Sequence, residues 1–459
     1  MIFKDIETIL FSQEFRNLQN KTQLFYQTIG ARVRTRLTHT IEVRAIAYKI
    51  GKELNEKIKN SSLKNKDIYC VDLELIDIIA YAHDIGHTPF GHIGERTLND
   101  ILLRKDTLGG LLKKNEKYIN AFKHNVNSMR IVYELNSNID WRIVEGVLTH
   151  TKLYKDVKYN PQIYWKLELL NKTKFKGIHN LNEESKEGLL HSFTVEGQIV
   201  AVADEIAQRI SDISDGIESK YYGKIKEILK IDKEDKKITK KTIENHIIVN
   251  FVDDVIDSTF ETIKKVKPQE VKGLKGYIFK EKIVNFKRYL EINEELNKFI
   301  EKFITNSHQI RQSDSRSRYI IRQLFKAYVN DIKLLPDEVI NNFLFYLSEK
   351  TSCPLLFDIV DTKKIDDDFL KAIQVIKRKE WTIKKFSVQS KTVLDFEVIE
   401  SFMKKLKMNE VNDKVLCQIY AIYLQFIANY IAMMTDNEAF YEYNNIYGHT
   451  SENFLNNII

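Results

Sequence analysis

Cysteine is scarce and unpatterned: Cys70, Cys353 and Cys417 are odd in number and form no CxxC. That excludes a disulfide framework or a zinc knuckle and fits a reducing compartment, so a cytoplasmic location is expected. Five prolines and sixteen glycines in 459 residues leave little material for turns, which disfavours a fold of many short strands and favours long helices. Charge of one sign is not in large excess: 71 basic against 64 acidic residues give a net +7. That suits an anionic ligand without compelling nucleic-acid binding. The opening "MIFKDIETILFSQEF" has acids where a signal peptide needs an apolar run, so none is expected. One uncharged run, "VLCQIYAIYLQFIANYIAMMT" (Val415 to Thr435), is long enough to span a bilayer. Its two Gln, one Asn and three Tyr, without a flanking basic cluster, read instead as a helix buried inside a helical protein, and no membrane partner is expected.

What is present is helical pattern. "VDLELIDIIAYA", "THTIEVRAIAYKIGKEL" and "TVEGQIVAVADEIAQRISDI" carry apolar residues at helical spacing, the last rich in Ala where close helix packing is expected. The fold class read from this is all-α. Residues 1–220 hold nearly all the unusual chemistry and read as a catalytic core. Residues 221–290, rich in Lys, Glu and Ile, read as a helical insertion or subdomain with solvated faces, and 291–459 as a helical C-terminal region packing on the core. Within the last, "RQSDSRSR" (311–318) reads as a solvated loop between helices. No repeat or low-complexity linker interrupts the chain.

The chemistry gathers in "HDIGHTPFGH", His83 to His92, which packs three histidines and an aspartate against the end of a buried helix. A packing helix gains nothing from that ending; a metal or a phosphate explains it. His39 in "RLTHTIEV" and Asp204 in "VADEIAQ" stand inside two other predicted helices. Two imidazoles and two carboxylates, from His39, His83, Asp84 and Asp204, would make a mixed nitrogen and oxygen site for a divalent first-row ion, with positions left for water. Thiol-free ligation points away from structural zinc. His87 and His92 follow on a loop tightened by Gly86, Pro89 and Gly91, and His124 in "FKHNVNSMR" opens a further helix. Imidazoles near such an ion can contact phosphate oxygens and move protons, which makes a phosphate ester the natural substrate. His150 in "EGVLTH" and His191 in "LLHSFTVEG" read as structural.

These stretches, "RTRLTHTIEV", "AYAHDIGHTPFGHIGERTLND", "FKHNVNSMR" and "VADEIAQRISDISDG", together resemble the HD-domain deoxynucleoside triphosphate triphosphohydrolases, the dGTPase-like group. The resemblance reaches "EFRNLQNKTQLF" upstream and "SRYIIRQLFKAY" and "NYIAMMTDNEAF" downstream. It implies an HD-domain helical core and hydrolysis of a dNTP, dGTP or more broadly, at its α-phosphate to deoxynucleoside and inorganic triphosphate. By it, His39, His83, Asp84 and Asp204 would hold the metal (Mg, Mn, Fe, Co or Ni). His124 would work in proton transfer, with His87 and His92 along the phosphates. Arg36 would grip the α-phosphate side, and Gln23 and Asp212 would hold the 3′-hydroxyl. The resemblance further implies a homo-oligomer, tetramer or hexamer, and leaves room for a nucleotide or single-stranded DNA effector. The chain departs from the pattern at Asn17, where many members have arginine, and at Gln208, where many have tyrosine. Beside His124 some members carry a carboxylate that orients the ring, and here Asn125 and Asn127 stand instead. Two other readings stay open: an HD phosphohydrolase acting on another nucleotide, and a catalytically silent regulator that binds nucleotide or nucleic acid.

Overall fold

Helices begin where the sequence supplies caps. In the computed structural model, which describes residues 2–23, 34–112, 121–136, 138–151, 191–216, 218–231, 239–270, 276–343 and 414–448, the chain opens with α1 (Ile2–Leu10), α2 (Gln13–Asn17) and a 3-10 turn at Leu18–Asn20. Helix α3 (Arg36–Lys59) starts from a reciprocal cap, with Thr35 Oγ1 accepting from the Thr38 amide and Thr38 Oγ1 from the Thr35 amide. Helix α4 (Leu73–Ala82) is capped by the Asp72 carboxylate, which accepts from the Leu75 amide. There follow α5 (Gly91–Leu102), α6 (His124–Leu135), α7 (Trp141–Thr149), α8 (Val195–Gly216), α9 (Tyr222–Leu229) and α10 (Lys240–Ile263). A two-residue hairpin, β1 (Gln269–Glu270) with β2 (Tyr277–Ile278), precedes α11 (Leu290–Ile300), α12 (His308–Asn330), α13 (Lys414–Met433) and α14 (Asp436–Tyr447). The described residues make an all-α architecture with this one small hairpin.

The described residues fall into two compact units, one of residues 1–95, 122–319 and 432–440, the other of residues 96–121, 320–431 and 441–459. The first contains every histidine and carboxylate singled out in the motif stretches. Its core is built around α3 and α8, with α4, α7 and α10 packed on them. Val43, Ala47, Ile50, Leu54 and Ile58 form the buried stripe of α3, and Ile199, Ala203, Ile206, Ile210 and Ile213 that of α8. Each fully buried Ile or Leu stabilises such a core by about 1.5–3 kcal/mol. This packing brings the N-terminal end of α3, the C-terminal end of α4 and the middle of α8 to one place.

In the second unit, Tyr423 and Ile427 of α13 are buried, and the Tyr423 hydroxyl donates to the Tyr328 carbonyl at 2.6 Å. Among the described residues no helix is long and apolar enough to cross a membrane.

One expectation fails. Residues 311–318 are not a loop but lie inside the single helix α12. Ser and Asp are weak helix formers, yet Ile310, Ser317, Ile321, Leu324 and Tyr328 recur on one buried face, and burial overrides the local preference. Cys353 and residues 232–238 of the Lys-rich stretch lie outside the described residues.

Candidate metal and phosphate site

Three helices deliver the cluster. Arg36 and His39 come from the first turn of α3, His83 closes α4 with Asp84 following it, and Asp204 sits midway along α8. His83 turns its Nδ1–H back onto the Ala80 carbonyl at 2.6 Å, which leaves its Nε2 facing the cluster. That Nε2 is buried without a hydrogen-bond partner and lies 3.8 Å from both an Asp84 and an Asp204 oxygen. His39 Nε2 lies 2.8 Å from Asp204 Oδ1. An unpartnered imidazole nitrogen beside two buried carboxylates is a mixed nitrogen and oxygen donor set of the kind that a divalent cation satisfies. His39, His83 and Asp84 present ligand atoms within 4.8 Å of one another, and the contacts to His39 and His83 add Asp204 to them.

The electrostatics agree. Burial opposes ionisation of Asp84, but the Arg36 guanidinium and the surrounding imidazoles outweigh it and hold the carboxyl well below the usual carboxylate range. At Asp204 burial is likewise outweighed, by the His39 hydrogen bond and by His83. Burial disfavours a charged His39, yet the Asp204 bond prevails and raises its pKa. Both carboxylates are therefore anionic, as metal ligands must be.

Beside this set, His87 stacks on His124 with ring centroids 4.6 Å apart, and His92, less deeply buried than these two, stands 5.0 Å from His87 and 5.8 Å from His124. Burial, then Arg36 and His124, push His87 well below its ordinary pKa, so it is neutral. Two residues not expected from sequence complete the group. Glu95, in the first turns of α5, accepts a short hydrogen bond from His124 Nδ1 and also takes the His124 backbone amide at 2.9 Å, supplying the cap that α6 lacks. Burial opposes its ionisation, but His124 and Lys123 hold it well below the usual range. His150, just past α7, donates Nδ1–H to the Val147 carbonyl at 2.7 Å and points Nε2 at His124 Nε2, 3.2 Å away. Burial, His83 and His124 push His150 down to about 3. His150 therefore lies within the cluster, its ring 5.1 Å from that of His83 and 5.2 Å from that of His124, and not apart from it in the core. His191, as expected, lies elsewhere, with its Nε2 3.2 Å from the Lys280 carbonyl.

The ring of His124 does have an orienting carboxylate, and neither nearby asparagine replaces it. Asn125 donates to the carbonyls of Leu148 and Thr151, and Asn127 to that of Gly86 at 2.8 Å. Gly86 is required there, since a Cβ would stand 2.2 Å from the Ser128 amide nitrogen.

Arg36 is 1% exposed, yet among the described residues only Nη1 has a partner, Asp84 Oδ2 at 2.5 Å, and Nε and Nη2 have none. Leaving buried guanidinium donors unmatched costs free energy, so these groups mark a place for an anion. Gly91, at φ +63°, sits over them: a Cβ would come 3.4 Å from Arg36 Nη2 and from the Gln23 carbonyl. The Gln23 side-chain Oε1 is buried and also lacks a partner. Asp212 is buried on α8, roughly 12 Å along the axis from Asp204. Gln208, half-buried, lies one turn beyond Asp204 on the same helix, and Asn17 donates to the Met433 carbonyl at 3.3 Å.

The HD domain family model matches residues 36–209, the span that holds every metal-cluster residue named above. A deoxyguanosinetriphosphate triphosphohydrolase-like protein of Rickettsia rickettsii (strain Iowa) is 28% identical over 355 residues, covering 72% of this chain and 80% of that protein. A protein of the same description from Bartonella quintana (strain Toulouse) is 28% identical over 358 residues, 73% of this chain and 79% of its own. The counterpart in Pelagibacter ubique (strain HTCC1062) is 30% identical over 362 residues, 73% of this chain and 86% of that protein. An HD-domain match that coincides with a buried cluster fit for a divalent ion, and relatives aligned over most of both chains, lead to one conclusion: the chain belongs to the HD-domain metal-dependent phosphohydrolases of the deoxyguanosinetriphosphate triphosphohydrolase-like family.

Proposed function

We propose that the protein hydrolyses deoxynucleoside triphosphates at the α-phosphorus, releasing deoxynucleoside and inorganic triphosphate. The observation that carries this reading is Arg36: one buried guanidinium bonded to a carboxylate of the metal cluster, with two donors unmatched beside it. A cation site and an anion site sharing one wall suit a phosphate ester. The names of the relatives supply the nucleotide.

In this reading His39, His83, Asp84 and Asp204 hold the ion. When bound, a divalent ion supplies Lewis acidity to the phosphoryl oxygens and lowers the pKa of an attacking water. Arg36 fixes the α-phosphate and neutralises charge developing on its oxygens. His87, neutral and buried, lines the phosphates, with His92 at the less buried end. The 5′-alkoxide is a poor leaving group, and His124 gives it a proton, its cationic form stabilised by Glu95. Gln23 and Asp212 bracket the 3′-hydroxyl as donor and acceptor.

Metal-supplemented protein, incubated with each of the four dNTPs and resolved by chromatography, tests the proposal. Inorganic triphosphate with deoxynucleoside supports it. Pyrophosphate with monophosphate, or turnover of other nucleotides only, replaces it with a different HD phosphohydrolase activity. Tight nucleotide or DNA binding without turnover replaces it with a regulator.

A further inference from the structure

The loop that carries His87 and leads into α5, where His92 stands in the first turn, is held from outside itself, by side chains distant in sequence. Lys21, just past the 3-10 turn, is 1% exposed, and its Nζ donates to the His87 carbonyl at 2.5 Å and to the Ala432 carbonyl at 2.8 Å. Asp436, the first residue of α14, is 2% exposed. Its Oδ1 accepts from the Phe90 amide at 2.7 Å, and its Oδ2 from the Thr22 amide at 2.9 Å and the Thr22 hydroxyl at 2.6 Å. Neither Lys21 nor Asp436 belongs to any of the cation groupings among the described residues.

Asp436 is free for this because α14 is capped by its neighbours. Thr435 Oγ1 accepts from the Glu438 amide at 3.2 Å, and Glu438 Oε2 from the Thr435 amide at 2.7 Å. A carboxylate in the first turn also lies in the favourable field of the helix N-terminus. At the other end of the bond, Phe90 has φ +60°, a left-handed conformation that a residue with a Cβ keeps only when its surroundings impose it. The Asp436 bond to its amide is such an imposition. Phe90 and Gly91, both left-handed, set the direction in which α5, bearing His92 and Glu95, leaves the loop. Burial pushes the Lys21 ammonium down to about 7 and the Asp436 carboxyl up, so both groups are retained against a desolvation cost.

We propose that Lys21 and Asp436, with Thr22, are positioning residues that clasp the His87–Phe90 loop and thereby set His87 and His92 against His124. Its kinetic consequence rests on the phosphohydrolase reading above; its structural consequence does not.

The test uses the full chain loaded with Mn²⁺, dGTP as substrate, and hydrogen–deuterium exchange of the peptide containing Phe90. Asp436→Asn exchanges one acceptor for an N–H group, which cannot serve both Phe90 and Thr22. It should lower kcat about 10²-fold, the scale of a misplacement of roughly 1 Å. KM should change little, bound metal should be unaltered and exchange in the loop should accelerate. Thr22→Val, which leaves α14 untouched and keeps the backbone bond to Asp436, should lower kcat in the same sense. Thr22→Ser should recover most of that loss. If both Asp436→Asn and Thr22→Val lower only the melting temperature, with kcat per folded molecule and loop exchange unchanged, the clasp is merely structural and the proposal is overturned. Should the wild type release no product from any dNTP, the function reading fails separately. Exchange alone then decides: faster exchange in Asp436→Asn supports the clasp, and unchanged protection rejects it.

Discussion

Glu95 takes both nitrogens that His124 offers on one side, the ring Nδ1–H and the backbone amide, while its other oxygen meets Lys123 Nζ at 3.0 Å. The pair fixes the tautomer and orientation of His124 and places a full negative charge behind it. Glu95→Gln keeps the size but removes that charge. It should lower kcat by about 10²-fold, the scale of losing an effective general acid, with metal content unchanged. Steady-state kinetics on protein of measured metal content decide this, and a variant near the wild-type rate would remove His124 from proton transfer.

Arg36→Lys keeps a positive charge for Asp84 but loses the planar fork whose Nε and Nη2 are unmatched. kcat/KM for dGTP should fall by about 10²–10³-fold, the range found when one oxyanion donor is removed. Metal binding should persist. An unchanged kcat/KM would show that the buried guanidinium serves Asp84 alone.

Asp84→Asn should abolish metal retention and turnover together, as read by elemental analysis and product assay. It should also destabilise the fold, because Asp84 is the ion partner of a guanidinium 1% exposed. Breaking one partner of a buried pair costs about 3–5 kcal/mol. Chemical denaturation measures the second effect independently of the first. Retained metal and near-normal activity would require a different ligand set.

How much of this site was legible in the sequence differs from residue to residue. His39, His83, Asp84, His87, His92 and His124 meet in the structure because the spacing of the motif is also the spacing of helix ends. Asp204 meets them because the Ala-rich α8 packs closely on α3. His150, which reads as structural, carries a signal of its own. In "IDIIAYAHD" and "RIVEGVLTH" an apolar helix ends in a histidine, and each ring turns Nδ1 back to the carbonyl three residues earlier. Glu95 was equally readable, since it lies three residues after His92 and so shares its helix face. The bond between Thr22 and Asp436 spans 414 residues, and no periodicity announces such a contact. The 311–318 stretch misled because local propensity argued for a loop while its neighbours supplied a buried face.

The buried carboxyl of Glu145 on α7 makes the stability of the fold depend on pH. It accepts from the Ser192 hydroxyl at 2.6 Å and the Phe193 amide at 2.9 Å, and burial raises its pKa to about 7, against those bonds and from an ordinary 4.5. The folded state therefore keeps a proton that the unfolded chain loses above 4.5. Its contribution to stability is complete below that pH and is lost as pH rises to about 7. Glu145→Gln imitates the protonated form at every pH. Denaturation at pH 5 and pH 8 should show the variant gaining on the wild type by on the order of 3 kcal/mol at the higher pH. A difference independent of pH would mean that the carboxyl is not raised.

Hydrolysis of dGTP in oxygen-18 water, with both products read by mass spectrometry, asks where the bond breaks. Attack on the α-phosphorus, with Arg36 holding its oxygens and His124 protonating the departing 5′-oxygen, puts the label in inorganic triphosphate and leaves deoxyguanosine unlabelled. Label in deoxyguanosine would place attack at the sugar carbon, and labelled monophosphate or pyrophosphate would place cleavage within the triphosphate chain. Either result would contradict hydrolysis at the α-phosphorus with departure of the 5′-oxygen.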